Sequence, residues 1–334
     1  MRDHAAAGET IFSDIYTEEE KAEDPAKEDT GLFFFRGNPG AKFAVCNAGG
    51  GFAYVGAMHD SFPHALELSK MGYNAFALIY RPGAQTACED LARAIAFIFG
   101  HAEELQVDTA DYSLWGGSAG GRMAAWVGSY GTAAFGEEAL PRPAAVIMQY
   151  TGYSEYSEND PPTYACVGDQ DGIASWRTME ERLNRLQEFG TDTEFHVYPG
   201  LGHGFGLGTG TAAEGWLQDA VSFWEKHMEN PPENASPDSG REQGLQAVEE
   251  AMAAGSRDAS EMEEGGEDLR QGTSENTIGT PEDFPAAYDY GSGRMEDWSR
   301  AVRFIRKNAD IYGIAPEDIA VMGLNPGRRI PDAL

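Results

Sequence analysis

The chain is poor in positive charge. Only 24 of its 334 residues are Lys or Arg against 55 Asp or Glu, a formal charge of −31, and such a field repels phosphate backbones and anionic lipid surfaces. Nucleic acid is not expected as a partner. Cysteine is scarce as well: Cys46, Cys88 and Cys166 are too few and too scattered for a disulfide framework, and none has a Cys or His at metal-ligand spacing. Cys46 and Cys166 lie in apolar runs that read as strands, so buried reduced thiols are expected. No apolar run approaches the ~20 residues needed to span a bilayer, and Met1 to Lys27 has no stretch of signal-peptide character. These absences predict a soluble, cytoplasmic protein without a membrane partner, and leave its oligomeric state open.

Aromatic residues are missing from one long stretch. Residues 229–283 contain no Phe, Trp or Tyr and are rich in acids, Gly, Ser and Asn. Such a composition cannot bury enough surface to offset chain entropy, which predicts a disordered acidic linker with one short helix pattern at Leu245 to Ala254. Residues 1–29 read in the same way, as a flexible acidic N-terminal segment.

Between these stretches the pattern is that of a folded domain, residues 30–228. Leu32 to Phe35, a turn at Gly37-Asn38-Pro39-Gly40, and Lys42 to Cys46 read as a hairpin. Strand patterns at Ala75 to Tyr80, Tyr112 to Leu114, Ala144 to Tyr150, Tyr164 to Val167 and Thr193 to Tyr198 then alternate with helical patterns. The helices fall at Phe62 to Met71, Ala87 to Leu105, Gly120 to Tyr130, Ser175 to Phe189 and Ala213 to His227. Short apolar strands alternating with helices predict an α/β fold, a mostly parallel sheet covered on both faces, with an antiparallel N-terminal edge. Residues 284–334 repeat part of this pattern: Glu296 to Ile305 echoes Glu89 to Ile98, and Tyr312 to Gly327 echoes Leu105 to Gly120. That predicts a partial second copy, one helix and one strand, docked weakly.

Gly116-Gly117-Ser118-Ala119-Gly120 satisfies G-x-S-x-G, follows an apolar strand and opens a helix. A strand turning at once into a helix projects the serine hydroxyl, and its small neighbours let the two elements approach. Asn47-Ala48-Gly49-Gly50-Gly51-Phe52 follows an earlier strand and lacks both G-x-G-x-x-G spacing and a following Lys-Ser/Thr. Its glycines suit an oxyanion hole, completed by the N–H of Ala119. Further on, Tyr164 to Val167 runs into Gly168-Asp169-Gln170-Asp171, where either Asp is a candidate acid and the other a helix cap. Gly202-His203-Gly204 ends the next strand, which makes His203 the candidate base. His59, His64, His101, His196 and His227 sit on or beside other elements and read as structural.

Together these residues resemble the α/β-hydrolase superfamily, specifically its small carboxylesterase and lipase-like members with a Gly-Gly-Gly loop, similar to acetyl- and feruloyl-esterase-like proteins. The resemblance covers Gly49-Gly50-Gly51-Phe52, Tyr80-Arg81, the elbow at Ser118, Gly168-x-x-Asp171 and Gly202-His203-Gly204, and departs at Ala48, where many members have His or Pro. It implies a Ser118, Asp171, His203 triad and oxyanion donors at the N–H groups of Gly50, Gly51 and Ala119. In the tail, Gly323-Leu324-Asn325-Pro326-Gly327 resembles an elbow with Asn in the nucleophile position, which implies a non-catalytic copy.

The expected activity is hydrolysis of small or short-acyl esters through an acyl-enzyme, with no metal or organic cofactor. Only about a dozen residues join the strand ending near Tyr150 to the next, too few for a large helical lid. Phe52 and Tyr153, with Tyr150 and Tyr156, are candidate substrate-pocket residues. A prolyl-oligopeptidase-like serine peptidase is the alternative in the same superfamily. A binding or assembly role for the acidic linker and partial copy is the alternative from another class.

Overall fold

The computed structural model describes residues 11–228. The linker and second-copy expectations lie outside the described residues. Eight strands form one sheet in the order β1-β2-β4-β3-β5-β6-β7-β8. They are β1 Phe12–Asp14, β2 Gly31–Phe35, β3 Lys42–Asn47, β4 Asn74–Ile79, β5 Asp108–Gly117, β6 Ala145–Gln149, β7 Thr163–Gly168 and β8 Thr193–Tyr198. From β4 through β8 the pairings are parallel, while β2 runs antiparallel to both β1 and β4.

The central strands are apolar on both faces because both faces are covered. In β3, Val45 joins one core and Ala44 and Cys46 the other, as the two-residue period of a strand requires. On the first face lie α3 (Ala84–Gly100), α5 (Ala119–Tyr130) and α6 (Trp176–Glu188); on the second lie α2 (Ser61–Lys70) and α7 (Trp216–His227). Each helix buries a stripe, as α3 does with Ala87, Leu91, Ala94, Ile95 and Ile98. All three cysteines are buried and free. Among the described residues no helix is long and apolar enough to cross a membrane.

Three sequence expectations need correction. The hairpin of Leu32 to Phe35 with Lys42 to Cys46 does not form: β4 lies between β2 and β3. The turn between them is tied to the start of β4 instead, with Gly37 N–H donating to Asn74 Oδ1 at 3.0 Å and Asn38 N–H to the Gly72 carbonyl at 2.8 Å. β3, buried on both faces, takes a central position that an edge hairpin would deny it.

The flexible-segment expectation for residues 1–29 fails over residues 11–29. β1 pairs with β2, and a short helix, α1 (Glu18–Glu23), opens on a capping box between Thr17 and Glu20. Tyr16 is buried with its hydroxyl donating to Asp90 at 2.6 Å, and Asp24 receives Arg81 Nη1 at 2.8 Å. Lastly, the single helix expected over Ala87 to Leu105 breaks at His101 into α3 and a short α4 (Ala102–Leu105).

Candidate active site

The elbow forms where β5 passes into α5. Ser118 has φ 52° and ψ −120°, a strained conformation for a residue with a Cβ. Its N–H is held by the Gln149 carbonyl at 2.8 Å. The tight turn depends on glycine: a Cβ on Gly120 would stand 2.1 Å from the Asn47 carbonyl oxygen, and one on Gly116 would stand 2.2 Å from Gly120. Strand and helix therefore touch backbone to backbone, which fixes the direction of the Ser118 hydroxyl.

The structure brings Ser118, Asp171 and His203 together. His203 Nε2 lies 3.0 Å from Ser118 Oγ, and His203 Nδ1 lies 2.9 Å from Asp171 Oδ2. The Asp171 side chain is fully buried, and its other oxygen accepts the N–H groups of Ile173 and Ala174, each at 2.8 Å. Asp169 takes a different part, accepting Gly200 N–H at 2.6 Å and so shaping the turn that leads to His203. Neither aspartate caps α6; the side chain of Ser175 does.

The glycine loop starts beside Ser118, where a Cβ on Gly49 would lie 2.9 Å from Ser118 Cβ. Gly50 and Gly51 have φ of 136° and 60°, and a Cβ on Gly50 would lie 2.0 Å from the Tyr54 carbonyl oxygen. Among the described residues none accepts the N–H of Gly50, Gly51 or Ala119. Gly49 differs, since its N–H donates to Asp60 Oδ2 at 2.8 Å. At Ala48, where the family resemblance departs, the carbonyl receives the Tyr80 hydroxyl at 2.7 Å.

Phe52 and Tyr153 converge on one side chain, Trp126 of α5: Phe52 stacks on it at 6.0 Å between centroids, and Tyr153 meets it edge-on at 5.7 Å. Tyr153 is itself buried under the Arg182 guanidinium. Tyr156 stays exposed beside Phe189. Tyr150 is buried, its ring edge-on to His203 at 5.1 Å and its hydroxyl donating to Asp60 Oδ1. Burial first, and the Asp60 carboxylate second, push the Tyr150 hydroxyl well above its ordinary pKa, so it remains a donor.

Sequence reasoning missed Asp60 and His59 as parts of this neighbourhood. His59 Nε2 meets the Gly204 carbonyl at 2.5 Å, next to His203. No motif marks either residue; they adjoin the site only because the glycine loop folds back. In the structure, backbone strain marks the region around them. Five described non-glycine residues have positive φ, and three of them, Phe52, Ser118 and Tyr150, are here.

Comparison with known proteins bears on the fold. Residues 40–188 match the BD-FAE family model. Among curated proteins none matches the chain. An acetyl ester-xyloside bifunctional hydrolase from Caldicellulosiruptor lactoaceticus is similar in structure, with a TM-score of 0.57 and 22% identity over 64% of this chain and 95% of that one. A thermophilic esterase from Thermogutta terrifontis, with propionate bound, gives a TM-score of 0.55 and 20% identity over 67% of this chain and 96% of that one. A carboxylesterase from Lactobacillus plantarum gives 0.52 and 18% over 59% and 92%. The described residues thus have the α/β-hydrolase fold, and residues 40–188 within them match the BD-FAE family model.

Proposed function

We propose that the domain is a serine hydrolase that cleaves small or short-acyl carboxylic esters through an acyl-enzyme on Ser118. The observation that carries this reading is the continuous chain Ser118 Oγ, His203, Asp171, with contacts of 3.0 and 2.9 Å at the end of a parallel sheet. The similar structures named above are esterases and hydrolases by name, and the Thermogutta terrifontis esterase is phosphorylated by paraoxon.

In the first step His203 Nε2 accepts the Ser118 proton as Oγ attacks the ester carbonyl. Asp171, fixed by two backbone N–H groups, holds the imidazole with Nδ1–H toward itself and stabilises the imidazolium. The N–H groups of Gly50, Gly51 and Ala119 receive the oxyanion, each such donor typically contributing ~3 kcal/mol. His203 then returns the proton to the departing alcohol, and water attacks the acyl-enzyme by the same route.

Short esters suit the site because the Thr151–Pro162 connection contains no helix to close over Ser118, which is partly exposed. Phe52, stacked on Trp126, offers an apolar wall for a small acyl or alcohol group. Tyr153 backs that wall from behind.

Fluorophosphonate labelling followed by peptide mapping tests the proposal, with p-nitrophenyl esters of increasing chain length alongside. Labelling at Ser118 and fastest turnover of acetyl to butyryl esters is expected. An unlabelled Ser118 in folded protein would refute it.

A further inference from the structure

Asp60 directly precedes α2, at the position from which an aspartate usually caps a helix. Its side chain makes no capping bond to that helix. Its carboxylate is turned inward and 6% exposed, with Oδ2 accepting Gly49 N–H at 2.8 Å and Oδ1 accepting the Tyr150 hydroxyl. No Lys or Arg pairs with it among the described residues. A carboxylate buried without a cation is costly, and it is retained here at the expense of an available cap.

Its location is next to the nucleophile. A Cβ on Gly49 would fall 2.9 Å from both Asp60 Oδ2 and Ser118 Cβ, and a Cβ on Gly117 would fall 3.0 Å from Asp60 Oδ2 and from the Tyr150 hydroxyl. The two carboxylate oxygens thus join two separate structures. One is the glycine loop, held at Gly49 just before the Gly50 and Gly51 N–H groups. The other is Tyr150, whose ring lies edge-on against His203 at 5.1 Å. Adjacent His59 supplies a parallel tie from the same loop to the Gly204 carbonyl beside His203.

We propose that Asp60 is the positioning residue of the Ser118 site, one buried carboxylate that sets the glycine loop and the wall behind His203 in register with each other. This rests on the hydrolase reading. Asp60 touches no reacting atom, and its effect is on where the oxyanion donors and the imidazole stand. Loss of the carboxylate frees Gly49 N–H and the Tyr150 hydroxyl together, and misplacement of catalytic groups by about 1 Å costs about 100-fold in rate. Asparagine substitutes in part, since its Oδ1 accepts from Gly49 while its Nδ2 donates to a Tyr150 hydroxyl turned to accept.

The test compares wild type, Asp60→Ala, Asp60→Asn and Tyr150→Phe. Four readouts apply: kcat and KM for p-nitrophenyl acetate, affinity for a methyl trifluoromethyl ketone whose hemiketal oxyanion occupies the donor site, Ser118 labelling, and the thermal midpoint. Asp60→Ala is expected to lower kcat about 30- to 100-fold with KM within about threefold, and to weaken the ketone in step with kcat. Asp60→Asn should recover about tenfold of that loss, and Tyr150→Phe should show a smaller parallel loss. A merely structural role would lower the midpoint and leave kcat of the folded fraction and ketone affinity unmoved, and that result overturns the proposal. If Asp60→Ala does not fold, Tyr150→Phe decides: a parallel loss of kcat and ketone affinity supports it, and unchanged values overturn it. Wild type without turnover or Ser118 labelling would sink the hydrolase reading itself, whereas active wild type with an equally active Asp60→Ala sinks only the role of Asp60.

Discussion

Replacement of Asp171 by Asn is the sharpest perturbation of the proposed triad, because the fold around it should tolerate the change. Asp171 Oδ1 accepts the N–H groups of Ile173 and Ala174, both at 2.8 Å. An asparagine keeps an oxygen there, since turning the amide would set its NH2 against two donors. The Nδ2 group must then face His203 Nδ1, where Asp171 Oδ2 now stands at 2.9 Å. An NH2 donor forces Nδ1 to accept, which moves the imidazole proton to Nε2, 3.0 Å from Ser118 Oγ. The base then points a proton at the nucleophile it should deprotonate. A wrong tautomer of this kind costs about 10⁴ in kcat, or about 5 kcal/mol in the barrier. Steady-state hydrolysis of p-nitrophenyl acetate measures it, with the urea midpoint as a check on folding. KM should stay within a few-fold. A folded Asp171→Asn protein with kcat within tenfold of wild type would refute both the tautomer argument and the assignment of Asp171 as the acid.

Three further outcomes follow from the packing. Gly120→Ala should destabilise by at least about 3 kcal/mol, the upper end of overpacking costs, because the new Cβ would meet the Asn47 carbonyl at 2.1 Å; an unchanged urea midpoint would contradict the backbone contact. Asp160→Ala should cost about 3–5 kcal/mol, since it strands the buried Arg182 guanidinium that pairs with Asp160 and donates to the Glu155 carbonyl at 2.6 Å; chemical denaturation of the pair of variants Asp160→Ala and Asp160→Asn reads it, with the Asn form the milder. Burial lowers the His64 pKa from 6.5 to about 4, so its neutral form is the one the fold favours. The contribution is complete above the unfolded value of about 6.5 and is lost as pH falls toward 4, amounting to about 2 kcal/mol by about pH 5. Wild type should therefore lose more stability than His64→Phe between about pH 7 and pH 5, and equal losses would show that His64 is not the group involved.

The parts of the site that were legible in the sequence are those where a local backbone demand selects a residue type. A turn from strand to helix with no room for a Cβ requires glycine at 116 and 120, and that requirement writes itself into five consecutive positions around Ser118. His203 and Asp171 were visible for a related reason, as both sit in Gly-bearing turns at strand ends. Asp60 had no such signature. Its proposed role depends on the meeting of Gly49 and Tyr150, 11 residues before it and 90 after it, and nothing local to residue 60 encodes either contact. The strand order failed in sequence for the same reason. Adjacent runs with a turn between them read as a hairpin, but β3 is buried on both faces and pairs with β4 and β5, one on each side, which leaves no edge for β2. The N-terminal segment shows the converse: the Thr17 and Glu20 capping box was present in the sequence, and acidic composition outweighed it. Local chemistry therefore marks the residues proposed to react, while a residue proposed to hold them in place emerges only from long-range contacts, and a buried carboxylate without a cation is one of the few marks by which such a candidate can be recognised.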